Sequence, residues 1–482
     1  MQLNKSIYKD YLEYPERILQ FGEGNFLRAF VDWIVDKMNK ELDFNTGVLV
    51  VGPLNNDKVY ELNDQSGLYT LLIKGIENRK LINESTIINS ITRAINTYRD
   101  YDEYLKAAES PEMRFIISNT TEAGIVYDNK DKLEDRPQNS FPGKLTAFLY
   151  HRYKSFNGDL SKGLIILPCE LIDKNGEKLK DIIIKLSQQW KLESGFIDWI
   201  NNANVFYNTL VDRIVPGYPT ETADEIEKEL GYRDKFLVEG EYFHLWVIEG
   251  PKELAKEFPA HKIGLNVLFV DDLTLYRTRK VRILNGLHTI MVPVSYLYNI
   301  DTVKDSINDE VIGGYIRSAL YDEIVPTLDL PQDELNEFAA AVIDRFRNPY
   351  IKHFLISISL NSMSKFETRV LPSILEYNKR KGELPRKLLF SLAALIRFYK
   401  GERNGEKINL SDSPDYLQMF SKLWENCDGT DEYYKYMVEI VLGLEELWKM
   451  DLNKIDGLKV LVSRYLINIE KKGIEEAIRE IL

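Results

Sequence analysis

The sequence is poor in the residues that mark metal proteins, disulfide-stabilised proteins and nucleic-acid-binding proteins. Its 482 residues include two cysteines, Cys169 and Cys427, and five scattered histidines. Two cysteines are too few for a disulfide framework or a four-thiolate zinc site. The net charge of -13 disfavours nucleic acid or an anionic membrane as a partner, since either favours a basic face. We therefore predict neither a metal nor a nucleic-acid partner.

Long hydrophobic runs are also missing. Residues 1–6 lack the apolar region of a signal peptide, and no apolar stretch approaches the length that spans a bilayer. We expect a cytoplasmic protein with no membrane partner. With 44% hydrophobic and 28% charged residues, the chain has the composition of a soluble globular protein and the length for two to four domains.

A nucleotide-binding unit is predicted near the N-terminus. Residues 17–21 read as a short buried strand, followed by Gly22-Glu23-Gly24 and a helical pattern over residues 26–34. Gly22 would permit a tight turn, and Gly24 a close approach of the backbone to a pyrophosphate at a helix N-terminus. Leu27 stands where the G-x-G-x-x-G motif expects its third glycine, so the motif alone is a weak signal.

Further apolar runs predict a parallel sheet. Residues 47–52, 115–118 and 164–167 read as strands, and polar turns follow the last two. Such an arrangement, with helical segments between the strands, indicates a ligand at the strand C-termini. The runs 242–248 and 265–270 could extend this sheet. The second strand ends without an acid for a ribose 2′-hydroxyl or an arginine for a 2′-phosphate, so NAD is favoured only mildly over NADP.

The rest of the chain reads almost wholly as helix. From about residue 273, apolar residues recur at spacings of three and four, with breaks at proline-containing segments. We therefore predict an α/β Rossmann-like dinucleotide-binding domain over residues 1–272. A mostly α-helical domain for substrate binding and catalysis is predicted over residues 273–482.

Three polar residues on one predicted helix suit the interconversion of an alcohol and a ketone. At about 100° per residue, Lys280, Asn285 and His288 fall within an arc of about 140°, with His288 between the other two. An amine can take the hydroxyl proton, a carboxamide can donate to the developing oxyanion, and an imidazole can hold a neighbouring hydroxyl. The alternative is an amphipathic helix that carries these three residues by chance.

Four motifs make the sequence resemble the polyol-specific long-chain dehydrogenases, also called the mannitol dehydrogenase family. They are FGEGNFLRA at residues 21–29, SNTTEAG at 118–124, VDRIVP at 211–216 and Lys280-x4-Asn285-x2-His288. The resemblance implies metal-independent hydride transfer with NAD. It implies cofactor contacts at Phe21, Gly22, Gly24, Asn25, Asn119, Thr120, Thr121 and Glu122.

The resemblance also implies roles for the polar trio. Lys280 would be the general base, Asn285 would help to form the oxyanion hole, and His288 would bind substrate. Asp212 of the VDRIVP motif would lie at the substrate. The alternative for Asp212 is a structural ion pair with Arg213.

One departure from the family concerns the second oxyanion donor. Relatives usually carry Asp-Asn after the strand that ends near residue 167, whereas this chain has Glu170-Leu171. Leu171 cannot donate a hydrogen bond, which leaves Asn175 as the candidate substrate residue. The alternative for Asn175 is a turn residue before Gly176.

Within the family, residues 19–33 and 67–71 look most like the branch that interconverts D-altronate and D-tagaturonate with NAD. A sugar-acid substrate brings a carboxylate, and Lys365 and Arg369 lie four residues apart, in the region where relatives place basic substrate-binding residues. The alternative is a solvated helix face paired with Glu367. Family members that act on mannitol, fructuronate or a phosphorylated polyol stay open, as does a non-catalytic dinucleotide-binding regulatory protein. The oligomeric state is not predicted.

Overall fold

The computed structural model describes residues 1–52, 54–77, 80–120, 124–350 and 352–482, with the side chain of Glu77 left out. The chain divides into two units. The N-terminal unit comprises Met1–Gly75 and Leu81–Leu273, and the C-terminal unit comprises Ile76–Lys80 and Thr274–Leu482. Within the described ranges, no helix combines the length and apolar character that crossing a membrane requires.

Strands and helices alternate over much of the N-terminal unit. Its strands are β1 (Glu16–Phe21), β2 (Gly47–Gly52), β3 (Tyr69–Glu77), β4 (Lys80–Ile88), β5 (Ile91–Asn96), β6 (Phe115–Ser118), β7 (Ile165–Pro168), β8 (Val205–Phe206), β9 (Asn208–Asp212), β10 (Val238–Glu241), β11 (Leu245–Glu249) and β12 (Val267–Val270). Its helices are α1 (Asn25–Arg28), α2 (Val31–Leu42), α3 (Lys58–Asp64), α4 (Tyr101–Ala107), α5 (Phe141–Ser155), α6 (Asn175–Gln189), α7 (Ser194–Asn202), α8 (Ala223–Leu230) and α9 (Leu254–Glu257). Short 3₁₀ turns cover Leu160–Lys162 and Ala260–Ile263.

The main sheet has the strand order of a dinucleotide-binding fold. In the described part of the chain it runs β5-β2-β1-β6-β7-β8, with all pairs parallel. Numbered by chain order within the sheet, this is 3-2-1-4-5-6, the order of the Rossmann fold. The strand order reverses between β1 and β6, where such sheets form a ligand crevice. The predicted fold class is confirmed.

Helices cover both faces of this sheet. Successive strand residues alternate between two hydrophobic cores, with Ile18 and Val50 in one and Leu19 and Val51 in the other. Residues of α2 fill the first core and residues of α4 and α5 fill the second. Parallel strands that are buried on both faces are apolar throughout, which is why these strands could be predicted from short apolar runs.

The two runs expected to extend the main sheet form a separate sheet instead. β11 pairs in parallel with β12 and antiparallel with β9, and β10, β3 and β4 form a third sheet. The expectation of one extended sheet was therefore wrong. An apolar run indicates that a strand is buried, but it carries no information about which strand becomes its partner.

The C-terminal unit is mostly helical, as predicted. Its α-helices are α10 (Thr274–Lys280), α11 (Gly286–Leu297), α12 (Val303–Asn308), α13 (Glu310–Ser318), α14 (Gln332–Phe346), α15 (Leu355–Ile358), α16 (Ser362–Arg369), α17 (Leu371–Lys381), α18 (Arg386–Phe398), α19 (Pro414–Glu425), α20 (Asp431–Leu442), α21 (Glu445–Trp448), α22 (Leu458–Lys472) and α23 (Ile474–Arg479). Val281–Asn285 and Ala319–Ile324 are π-helical, and Val325–Thr327 and Leu452–Lys454 are 3₁₀ turns. Two short strands, β13 (Glu402–Arg403) and β14 (Glu406–Lys407), form an antiparallel pair. α11 packs against both α16 and α18.

Candidate active site

The turn after β1 depends on glycine. Gly22 has φ +121°, a conformation that residues with a Cβ rarely adopt, and a Cβ there would lie 3.1 Å from the carbonyl oxygen of Asn119. Gly22 thus lets the turn after β1 lie against the turn after β6, at the reversal of strand order. Gly24 is different, because its φ is −68° and a Cβ added to it would meet no atom within 4 Å. Open space therefore borders the backbone of Gly24.

The segment after this turn is not the single helix predicted for residues 26–34. α1 ends at Arg28 and α2 begins at Val31, and Phe30 between them has φ −131° and ψ −80°. The apolar spacing predicted the buried face but not this break. In the described part of the chain, the backbone N–H groups of Gly24 and Asn25 donate to no protein acceptor. These groups fit the phosphate oxygens of a dinucleotide at a helix start.

Two residues predicted at the cofactor have side chains that are engaged within the protein. The Phe21 ring is fully buried and packs on Phe141, with ring centroids 4.8 Å apart. Asn25 Oδ1 accepts a hydrogen bond of 2.6 Å from Arg28 Nη2. A cofactor contact by Phe21 would therefore come from the main chain, whereas the exposed Asn25 could use either its main chain or its Nδ2 group.

The side chain of Gln20, in β1, links the turn after β1 to the buried carboxyl group of Asp32, in α2. Gln20 Nε2 donates to the carbonyl oxygen of Gly22 at 3.2 Å and to Asp32 Oδ2 at 3.1 Å. Burial raises the pKa of Asp32 to about 7, while the bond from Gln20 and the charge of Arg28 act in the opposite direction. The position of the Gly22 carbonyl is thus tied to a side chain of α2.

The turn after β6 is bound to the turn after β7. Asn119 Nδ2 donates to the carbonyl oxygen of Cys169 at 2.7 Å. Thr120 donates to Glu170 Oε1 from its backbone N–H at 3.0 Å and from its hydroxyl at 2.9 Å. Glu170 was not predicted as a site residue, although its place directly after a strand was a signal for one. Two further residues predicted at the cofactor, Thr121 and Glu122, lie outside the described residues.

Asn175 begins α6 with its carboxamide fully engaged. Its Nδ2 donates to three backbone carbonyl oxygens at 2.9 to 3.1 Å, those of Pro168, Glu170 and Thr209. Its Oδ1 accepts from the backbone N–H groups of Gly176 and Thr209, each at 2.9 Å. The residue is completely buried. The role of Asn175 as an oxyanion donor stays a prediction, and this engagement argues against it.

Asp212 is buried at the end of β9, opposite Leu245 of β11. Its neighbour Arg213 donates to the carbonyl oxygens of Glu241 at 2.8 Å and Ala29 at 2.5 Å. Burial lowers the pKa of Arg213 to about 10. These contacts do not support the alternative of an ion pair between Asp212 and Arg213.

The helix that carries Lys280, Asn285 and His288 is not a regular α-helix. Val281–Asn285 is π-helical, and the backbone N–H of Gly286 donates to the carbonyl oxygen of Val281, five residues back. A π-turn takes up one extra residue, so spacings of five and eight act like spacings of four and seven in an α-helix. Measured around the helix axis, the three side chains span about 60° with the π-turn, whereas a uniform α-helix would spread them over about 140°. The expectation of a uniform α-helix was wrong, and the irregular turn aligns the trio more closely.

The three side chains of the trio differ in burial. Lys280 and Asn285 are half-buried, whereas His288 is buried. The imidazole of His288 lies 4.4 Å from the ring of Phe346 and 5.1 Å from that of His353, between centroids. Among the described residues, the carboxamide of Asn285 has no hydrogen-bond partner, while the Asn285 carbonyl accepts from Thr289. Asn285 can therefore offer its N–H groups to a ligand.

Gly286 lets α16 approach this helix. A Cβ at Gly286 would lie 3.2 Å from the carbonyl oxygen of Arg369, the last residue of α16. Few Cβ atoms have a neighbour that near, so a side chain here would displace one of the two helices. The sequence showed an Asn285-Gly286 pair but gave no sign of this contact.

The predicted carboxylate-binding residues, Lys365 and Arg369, lie on α16. Lys365 Nζ donates to the carbonyl oxygen of Ile358 at 2.8 Å. Burial and the charge of Arg369 lower the pKa of Lys365, and burial lowers the pKa of Arg369. Within the described ranges, the Arg369 guanidinium forms no ion pair, and neither cation pairs with Glu367. The alternative of a solvated, paired helix face is not supported.

A further cation, Arg282, belongs to the π-helical turn. Its Nη1 donates to Ser373 Oγ at 3.0 Å, and it forms no ion pair with any described residue. Burial lowers the pKa of Arg282 to about 10. α16 packs against this turn, and both elements carry partly desolvated cations, which favour an anionic ligand. Among the described residues, no group of three or more His, Cys, Asp or Glu side chains could hold a metal ion.

Comparison with known proteins decides the family. Residues 16–262 match the Mannitol dehydrogenase Rossmann domain, and residues 272–467 match the Mannitol dehydrogenase C-terminal domain. The chain belongs to the mannitol dehydrogenase family. The resemblance inferred from four sequence motifs is confirmed.

Several known proteins resemble the chain over nearly its whole length. An altronate oxidoreductase of Bacillus subtilis (strain 168) is 50% identical over 482 residues, 99% of this chain and 98% of that protein. An altronate oxidoreductase of Escherichia coli O139:H28 is 50% identical over 472 residues, 97% of each chain. Pseudomonas fluorescens mannitol 2-dehydrogenase, solved with NAD and D-mannitol, matches with a TM-score of 0.69 at 21% identity, over 100% of this chain and 99% of that one. A substrate-free D-sorbitol dehydrogenase matches with a TM-score of 0.83 at 21% identity, over 99% and 100%. At this identity the two structures show the fold alone.

Proposed function

We propose that the chain is an NAD-dependent oxidoreductase that interconverts D-altronate and D-tagaturonate. The observation that carries the proposal is the 50% identity with altronate oxidoreductases over nearly the full length of both chains. The partly desolvated cations of the C-terminal unit support it independently, because they suit the carboxylate that distinguishes a sugar acid from a neutral polyol.

The residues after β1 and β6 fit the cofactor. The N–H groups of Gly24 and Asn25 would meet the phosphates, and the turn at Asn119 and Thr120 would border the second half of the dinucleotide. When bound, NAD supplies or accepts the hydride. The protein's part is to bind, orient and exchange a proton.

The polar trio handles the reacting oxygen. In reduction, protonated Lys280 gives its proton to the keto oxygen of the sugar acid, and in oxidation the neutral amine takes the hydroxyl proton back. The Asn285 carboxamide donates a hydrogen bond to the same oxygen and stabilises the negative charge that develops there. His288 holds a neighbouring hydroxyl and so fixes which carbon faces the hydride.

The carboxylate of the sugar acid is assigned to α16. Arg369 can bind it with two parallel N–H donors, and Lys365 can add a point charge. Arg282 lies in the π-helical turn against which α16 packs, but its guanidinium bonds to Ser373 and interacts with Glu376, so the carboxylate is assigned to Arg369 and Lys365 alone. Asp212 remains a proposed substrate residue on the resemblance of its motif to the family.

The test is NADH oxidation by the purified protein with D-tagaturonate, D-fructuronate and D-fructose in parallel. We expect tagaturonate to be reduced with the highest kcat/KM and fructose, which lacks a carboxylate, with the lowest. A preference for fructuronate would support the proposed carboxylate-binding site but would make fructuronate, rather than tagaturonate, the substrate. A preference for fructose would remove the carboxylate argument, and NADH binding without turnover on any of the three would favour a non-catalytic protein.

A further inference from the structure

Glu170 is a buried carboxylate with no paired cation among the described residues. It is 2% exposed, and within the described ranges no lysine, arginine or histidine forms an ion pair with it. A charge that is removed from water needs hydrogen-bond donors or a counter-ion. Three donors meet the carboxylate, namely the backbone N–H and hydroxyl of Thr120 on Oε1, and the hydroxyl of Ser118 on Oε2 at 3.0 Å. Burial raises the pKa of Glu170, and the bonds from Thr120 and Ser118 oppose that shift.

The three donors belong to the end of β6 and its turn, while Glu170 follows β7. The two strands are neighbours in the sheet, with Ser118 opposite Pro168. The backbone N–H of Asn119 donates to the carbonyl oxygen of Phe21 at 3.1 Å, which ties the same turn to β1 on its other side. The turn at Asn119 and Thr120 is therefore held from both flanking strands.

The space around Thr120 is also constrained by a glycine. A Cβ at Gly124 would lie 1.9 Å from Thr120 Oγ1, so the chain can pass that closely only without a side chain. Nothing in this arrangement leaves the Thr120 hydroxyl hydrogen for a ligand, because Glu170 accepts it. The side chains of Asn119 and Thr120 therefore hold the shape of the turn.

The position of this turn indicates which half of the cofactor it serves. In sheets of order 3-2-1-4-5-6, the glycine turn and the second strand serve the adenosine half, so strands four to six serve the other mononucleotide. β6 is the fourth strand of this sheet. We propose that Glu170 is a positioning residue that fixes the turn at Asn119 and Thr120 for the nicotinamide half of NADH. This inference rests on the proposed function for its cofactor but not for its sugar.

The test is NADH affinity, measured by fluorescence titration without any sugar acid. Glu170→Gln keeps the size of the side chain but replaces one acceptor oxygen by an NH₂ group that faces the donors. We expect the Kd for NADH to rise about 10- to 100-fold, because hydrogen bonds to a charged group are lost. At saturating NADH we expect kcat to stay within about threefold of wild type, since Glu170 touches no reacting atom.

A matched control and a double-mutant cycle separate positioning from general support. Glu177, on α6, is exposed and bonds to Asn208, so Glu177→Gln should leave the Kd for NADH unchanged. Thr120→Val removes one donor to Glu170, so the effects of Glu170→Gln and Thr120→Val on the Kd should be clearly less than additive. Additive effects, or a wild-type Kd in Glu170→Gln, would overturn the proposal.

Two further variants cover the case in which Glu170→Gln does not fold. Ser118→Ala and Thr120→Val each remove one hydroxyl, and each should raise the Kd for NADH several-fold while the circular dichroism spectrum and Tm stay near wild type. A lowered Tm with an unchanged Kd would mean that Glu170 only supports the fold. Failure of the proposed function would look different, as wild-type protein that binds NADH but does not reduce tagaturonate.

Discussion

The turns after β1, β6 and β7 in the N-terminal unit differ in the use of their polar side chains from a helix pair in the C-terminal unit. One member of the helix pair is the continuous segment from Lys280 through the π-helical turn into α11, and the other is α16, which packs against it. At the turns, Asn119, Thr120 and Asn175 are bonded to other parts of the protein. On the helix pair, Asn285 and Arg369 have side chains without a hydrogen-bond partner among the described residues. The side chains of the turns hold the turns in shape, whereas Asn285 and Arg369 can be offered to a ligand, although Lys365 on the same helix bonds to the carbonyl oxygen of Ile358.

The difference agrees with what each proposed ligand needs. Phosphates can be bound by backbone N–H groups at a helix start, so the side chains there are free to hold the turns in position. A sugar acid has a carboxylate and several hydroxyls, which only directed side-chain groups can distinguish. Substitutions at the turns should therefore weaken ligand binding by changing the backbone conformation. Substitutions on the helix pair should weaken it by removing direct contacts with the sugar acid.

The largest effect is expected for Lys280→Ala, which tests the helix pair. Loss of a general acid–base group lowers kcat by about 10²- to 10⁴-fold. The Kd for NADH should stay near wild type, because the turns are untouched. Lys280→Arg should be nearly as slow, since a guanidinium does not give up its proton in proteins. Stopped-flow and steady-state measurements with tagaturonate check this, and near-normal turnover in Lys280→Ala would remove the assignment.

Arg369→Ala should have the next largest effect. A charge-assisted hydrogen bond contributes about 1.5 to 3 kcal/mol, so kcat/KM for tagaturonate should fall about 10- to 100-fold. Activity with fructose, however low, should change little because fructose has no carboxylate. Arg380, on α17, is paired with Glu376 and Asp329, and Arg380→Ala serves as the matched control. Equal losses for both sugars would mean that Arg369 supports the fold and does not read the carboxylate.

Gly22→Ala and Gly24→Ala separate two roles within one turn, namely the backbone conformation at Gly22 and the proposed phosphate contact at Gly24. Alanine at position 22 would need φ +121° and would lie 3.1 Å from Asn119, so we expect it to cost about 1 to 3 kcal/mol of stability and to weaken NADH binding. Alanine at position 24 meets no protein atom, so the Tm should not change. If phosphate lies against Gly24, the Kd for NADH should still rise about tenfold. A Gly24→Ala protein with wild-type affinity would contradict the proposed phosphate position.

The strands of the main sheet could be predicted because burial on both faces leaves a plain apolar run. The bounds of β2 and β6 match the runs at residues 47–52 and 115–118. The pairing of strands could not be predicted in the same way, since β11 and β12 show the same kind of apolar run and yet join another sheet. Partner choice depends on contacts that are far apart in sequence, which local patterns do not contain.

The candidate site shows the same limit at the level of single residues. The chemistry of Lys280, Asn285 and His288 could be predicted from residue type and spacing, but their alignment depends on a π-turn. A run of five residues is too short for its apolar spacing to reveal the one extra residue that a π-turn takes up. Likewise Glu170 was visible as a polar residue after a strand, whereas its donors on the neighbouring turn became known only from the fold.

The smallest effect is expected for Gly286→Ala, which changes the spacing between the two helices of the pair. A Cβ at Gly286 would lie 3.2 Å from the carbonyl oxygen of Arg369, so Gly286→Ala should displace α16 by a few tenths of an ångström. We expect kcat/KM for tagaturonate to fall about two- to tenfold, since even a small misplacement of catalytic groups lowers the rate.

The control is Gly314, which lies in α13 with no atom within 4 Å of an added Cβ. Gly314→Ala should raise stability by about 0.5 to 1 kcal/mol without changing activity. In an Arg369→Ala background the effect of Gly286→Ala should shrink, because the side chain it displaces is already gone. An undiminished effect would show that Gly286 acts on Asn285 alone, and the spacing of the two helices would then have no part in reading the carboxylate.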